Sequence, residues 1–75
     1  MISYKDYVRL VIVIKDMQES MSRMDFADWL MNTSSIEDYR EDFPNYEKFL
    51  VHLVTLNTRI LIDRDFFNNY IYGKI

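Results

Sequence analysis

The sequence predicts an all-α fold, a compact bundle of four or five helices in a single domain spanning residues 1–75. Apolar residues recur at i, i+3 and i+4 through most of the chain, the pattern of helices that each turn one face to a core. Serines precede an acid by three residues at Ser3/Asp6, Ser22/Asp25 and Ser34/Glu37, the spacing of a capping box. Strand chemistry is missing, because one Gly, one Pro and no Asn-Gly or Asp-Gly pair leave no tight hairpin signal.

The first element is the ambiguous one. In "YVRLVIVIKD", Tyr7 to Asp16, only Arg9 interrupts the apolar run from Val8 to Ile14, which would suit a buried parallel strand. Such a strand needs partners, and the rest of the chain offers few. As a helix the segment sets Tyr4, Tyr7, Val8, Val11 and Ile14 on one side, with Lys5, Arg9 and Asp16 mostly elsewhere, and Ser3 caps its start. Helix is therefore the reading. Leu10, Ile12 and Val13 make it apolar nearly all round, as expected of a central helix or one side of an interface.

In the second helix, "MSRMDFADWLM", Met21, Met24, Ala27, Leu30 and Met31 recur at helical spacing. The turn "NTSS" follows, and Ser34/Glu37 opens a short helix, "SIEDYRED", expected to turn Ile36 and Tyr39 inward. Phe43 precedes Pro44 and so resists helical geometry. The chain should bend there, with Pro44 in the first turn of the next helix and Asp42 or Phe43 near its cap. That helix, "NYEKFLVHLVTLN", carries the stripe Tyr46, Phe49, Leu50, Leu53, Val54. "TRILID" reads as a loop or short extension. A last helix, roughly "RDFFNNYIY", is expected to bury Phe66, Phe67, Tyr70 and Ile71 and to stop at Gly73 in a left-handed cap.

Seventy-five residues leave room for one core only, so most large apolar side chains are needed for packing. The absence of cysteine removes disulfides, thiolate metal sites and thiol chemistry, and fits a reducing compartment such as the cytoplasm. Leu10 to Ile14 is too short to span a membrane and lacks a small-residue cleavage site, so neither an anchor nor secretion is expected.

Catalytic constellations are hard to assemble from these residues. His52 is the only histidine, in the apolar stretch "FLVHLV", and its helical neighbours Lys48 and Thr55 are not metal ligands of its kind. Glu37, Asp38, Glu41 and Asp42 alternate with Arg40 on a short, solvated helix, without the burial that splits a catalytic pair of pKa values. Ser20, Ser22, Ser34 and Ser35 read as caps rather than nucleophiles. One glycine cannot build a phosphate-cradling loop. The expectation is a protein that is not an enzyme and carries no cofactor or metal.

The segments "SYKDYV", "DFADWLMNTSSIEDY", "YEKFLVHL" and "DFFNNYIYGK", in that order, resemble the YozE-like family of small bacterial proteins. The resemblance covers most of the chain and implies a SAM-like helical fold. The family's Phe-Pro-Lys turn has no counterpart after the Phe26-Ala27 helix, and Phe43-Pro44 comes later. The family brings no established activity, so the resemblance bears on fold rather than function.

Charge is more informative. Residues 16–47 carry nine acids against Arg23 and Arg40, a net of −7, while residues 1–15 and 48–75 are each +2, giving −3 in total. Such a run is ordinarily a solvated face. It also suits an acidic surface that steers a basic protein partner. The residues expected to form that surface are Glu37, Asp38, Glu41, Asp42 and Glu47, with Tyr39 and Trp29 as aromatic anchors. Trp29 and Phe26 cannot share one core face with Met24 and Ala27, so one ring is expected to be exposed. Self-association of the acidic centre with the basic flanks is a related expectation. Two alternatives stand beside it. One is a phage or mobile-element inhibitor occupying a host protein's nucleic-acid site. The other is a nucleic-acid-binding helical domain that gathers Lys5, Arg9, Arg59 and Arg64 on one side, weakened by how scattered the bases are, with only Arg59, Arg64 and Lys74 near one another in sequence.

Overall fold

A computed structural model describes residues 2–72 and the side chains of all of these but Ser34 and Ser35. Among the described residues the regular structure is entirely helical. The opening stretch is a helix, α1 (Tyr4–Glu19), because Ser3 in extended geometry accepts from the Asp6 amide at 3.2 Å and starts the first turn. Tyr7, Val11 and Ile14 form its buried face. As a central helix would, α1 contacts four of the helices that follow it, while Ile12 and Val13 on its remaining side are exposed.

Helix α2 (Arg23–Asn32) begins at Ser22, which accepts from the Asp25 amide at 3.2 Å. Its inward face is Phe26 and Leu30. Met24 and Met31, expected inside, are 77% and 70% exposed. The phase of the helix is set by its largest rings: burying Phe26 and half-burying Trp29 removes more apolar area from water than burying flexible methionines.

The predicted helix "SIEDYRED" splits in two. One α-turn, α3 (Ser34–Glu37), is followed by a 3-10 turn at Arg40–Asp42. The amides of Ile36 and Glu37 donate to the Thr33 carbonyl, so Thr33 occupies the backbone position before the helix. The Ser34 box rests on a side chain outside those described. The tighter turn delivers the chain to Phe43, whose φ of −120° and ψ of 117° are the extended values a residue before proline requires. Pro44 lies outside the next helix rather than in its first turn. The cap of α4 (Tyr46–Thr55) is Asn45, accepting from the Lys48 amide at 3.2 Å, in place of Asp42 or Phe43.

"TRILID" contains its own one-turn helix, α5 (Thr58–Leu61), capped by Asn57. Asp63 then caps α6 (Arg64–Ile71) by accepting from the amides of Asp65 at 2.9 Å and Phe66 at 3.1 Å. Phe67, Tyr70 and Ile71 are buried, while Phe66 is half-buried. The cap predicted at Gly73, and Lys74, lie outside the described residues.

One aromatic cluster ties these elements together. Phe43 stacks on Phe49 with centroids 4.2 Å apart, and Tyr70 meets Phe49 edge-on at 5.4 Å. Tyr7 lies 4.8 Å from Phe67. The Tyr7 and Tyr4 hydroxyls donate to the carbonyls of Leu61 and Ile62, fastening α1 to the end of α5. On the far side of α1, Lys15 is buried and its ammonium donates to the carbonyls of Leu53, at 2.8 Å, and Leu56, at the end of α4. A cation there answers the negative end of the α4 dipole.

Candidate protein-binding surface

The acidic side chains sit where α3, the 3-10 turn and the start of α4 converge. Glu37 ends α3, Arg40 opens the 3-10 turn, and Glu47 lies in the first turn of α4. One guanidinium reaches both acids: Arg40 stands 3.8 Å from Glu37 Oε1 and 3.6 Å from Glu47 Oε1, and 5.0 Å over the Tyr46 ring. All three charged side chains are more than half exposed. Pairs of that kind contribute well under about 1 kcal/mol each. Their value here is positional: Arg40 holds two carboxylates from different elements close together at the surface.

The remaining predicted residues divide. Asp38 and Tyr39 line a shallow depression of about 480 Å³ with Asp6, Arg9, Leu10 and Val13 of α1. Tyr39 is half-buried there rather than turned fully inward or outward. Glu41 is exposed and Asp42 partly so. Trp29 is half-buried and stacked on the fully buried Phe26, centroids 6.0 Å apart and planes at 24°. Phe26 is the buried ring of the two and Trp29 keeps part of its surface accessible, while their stacking packs both on one side of α2.

Three features were not read from the sequence. Arg40 as the bridge between Glu37 and Glu47 is the first, although Glu37–Arg40 spacing at i, i+3 signalled half of it. The second is an apolar groove of about 220 Å³ between α2 and α4, with Met31 and Val51 on its walls and Glu47 at its rim. Buried Lys15 is the third. Besides the two carbonyls its ammonium donates to Gln18 Oε1 at 2.8 Å, so all three donor positions are taken and the group acts as a helix clamp, not a free amine. Burial lowers its pKa below the ordinary lysine value.

His52 packs between Phe66, at 5.6 Å, and Tyr70, at 5.5 Å, and its buried Nδ1 has no hydrogen-bond partner. Burial, and secondarily the nearby Lys48 charge, lower its pKa below the ordinary histidine value. No group of three His or carboxylate side chains among the described residues is arranged to hold a metal ion. No helix among them is long and apolar enough to cross a membrane. Comparison with protein-family models, with curated proteins and with solved structures gave no match to this chain, which leaves the surface itself to carry the functional reading.

Proposed function

We propose that this chain is a non-enzymatic, cytoplasmic interaction module that binds a protein partner with a basic surface, and that it is YozE-like with a SAM-like arrangement of helices. The observation that carries the reading is the meeting of Glu37 and Glu47 at Arg40, two exposed carboxylates brought from separate elements to the edge of an apolar groove. A field of one sign beside an apolar patch supplies steering and contact area together. Residues 16–47, which contain this surface, carry the net charge of −7 counted above. The hydroxyl of buried Tyr7 and the ammonium of buried Lys15 are engaged by backbone carbonyls. Two of the basic side chains have other neighbours: Arg9 shares its depression with Asp6 and Asp38, and Arg64 lies 4.3 Å over the Tyr4 ring.

The test is recovery of partners from bacterial lysate on the immobilised protein, at low and moderate salt, with and without nuclease. A nuclease-resistant protein lost as salt rises is the expected result. Its affinity should fall when Glu37, Asp38, Glu41 and Glu47 become amides, with unfolding unchanged. Retention of nucleic acid alone would favour the nucleic-acid reading. Salt-dependent dimerisation of the pure protein, abolished by the same substitutions, would make the partner a second copy.

A further inference from the structure

Building on that acidic-surface reading, we infer that the α2–α4 groove receives one large apolar side chain of a basic amphipathic helix in the partner. The groove is bounded by Leu30, Met31, Leu50 and Val51, and Glu47 is the one charged residue in its lining. Met31 and Val51 are 70% and 57% exposed, so its walls are open to an incoming side chain. At about 220 Å³ the space falls short of the roughly 300–1,000 Å³ of a small-molecule site, and suits a leucine or phenylalanine anchor.

Charge complementarity identifies the rest of the occupant. Glu47 belongs both to this groove and to an adjoining cleft of about 100 Å³ that contains Glu37 and Arg40. A helix that seats one side chain in the groove therefore brings the edge of its apolar stripe beside Glu47 and Glu37. Lysine or arginine there would replace Arg40 as the partner of those acids. A stripe of apolar residues at i, i+3, i+4 and i+7 edged by bases is the pattern of a basic amphipathic helix laid in a groove, one apolar residue entering as the anchor. Flexible Met31 adapts the wall to the shape of the anchor.

The experiment titrates protein carrying ¹³C-labelled methionine and valine methyls with two synthetic peptides of identical Leu/Lys composition. One has leucines at i, i+3, i+4 and i+7, and the other is scrambled. Saturable shifts of the Met31 and Val51 methyls, with binding by the periodic peptide about tenfold tighter than by the scrambled one, are expected. Met31→Gln with Val51→Thr leaves the charge unchanged and should abolish that tenfold preference, while Glu47→Gln weakens both peptides. Because both walls are exposed, the double variant should unfold as the parent does, which urea denaturation checks. Equal binding of the two peptides, or shifts centred on Val13 of α1, would overturn the groove while leaving the acidic surface standing. No binding of either peptide would overturn both. Shifts of Met31 that grow with protein concentration alone would assign the groove to a second copy and overturn the basic-helix occupant.

Discussion

Where α1 meets the ends of α4 and α5, the polar atoms of Tyr4, Tyr7 and Lys15 are aimed at backbone carbonyls of Ile62, Leu61, Leu53 and Leu56. Between Glu37 and Glu47 the polar atoms point to water, and the ion pairs there are 3.6–3.8 Å apart and solvated. The two regions belong to one small chain, yet they use charge and hydroxyl groups for opposite ends. In the first, each polar group completes a helix terminus and so contributes to the stability of the fold. In the second, removal of a charge leaves the backbone as it was and alters only what the surface attracts. Stability and recognition are therefore separable here by mutation.

The largest effect should come from the core that both regions share. Phe49→Ala removes a fully buried ring in contact with Tyr7, Phe43 and Tyr70, and should lower the unfolding free energy by about 3–5 kcal/mol in urea titrations. A loss below about 1 kcal/mol would mean that the aromatic cluster is not the core. Next, Lys15→Met keeps the aliphatic stem but leaves the Leu53 and Leu56 carbonyls without their donor, at a cost of about 1–3 kcal/mol.

Two effects of pH sharpen the contrast. Burial raises the Tyr7 pKa above the ordinary tyrosine value, with the neighbouring Tyr4 adding to it. The folded state thus holds that proton longer than the unfolded chain, and the stability it contributes is present below about pH 10 and declines as pH rises beyond it. Lys15, with a lowered pKa, acts in the opposite sense at alkaline pH, so the difference between the parent and Tyr7→Phe is the quantity to measure. Less alkaline destabilisation in Tyr7→Phe is expected. At the acid end, the lowered pKa of His52 makes its contribution present above about pH 6.5 and lost as pH falls through the folded value. His52→Gln should be the less acid-sensitive protein, read from unfolding midpoints against pH. The smallest effect belongs to the acidic surface: Glu37→Gln and Glu47→Gln should each shift stability by less than about 0.5 kcal/mol, because both partners of each pair are more than half exposed.

Helix starts were the most readable part of the sequence. Ser3 and Ser22 cap as their spacing indicates, since a cap is a contact over three residues and the sequence holds all of it. The bend at Phe43-Pro44 was readable for the same local reason. Helix rotation was harder. In α2 six of ten positions are apolar and they lie on more than one side, so the choice of Phe26 and Leu30 over Met24 and Met31 depended on neighbours in α1 and α4. Lys15 was invisible because its carbonyl partners lie 38 and 41 residues away. At the candidate surface the run of acids was evident, but the run did not reveal that Arg40 joins Glu37 to Glu47 while Asp38 and Tyr39 line a different depression. Those groupings arise from how α3 and the 3-10 turn are laid across the bundle, which no local pattern encodes.

The most direct test of the central claim compares the parent with the Glu37→Gln, Asp38→Asn, Glu41→Gln, Glu47→Gln variant in affinity for the recovered basic partner, across a range of salt. At least tenfold weaker binding by the variant at low salt, a flatter salt dependence and an unchanged urea midpoint are the predicted result. Equal affinity of the two proteins at every salt concentration would contradict the account.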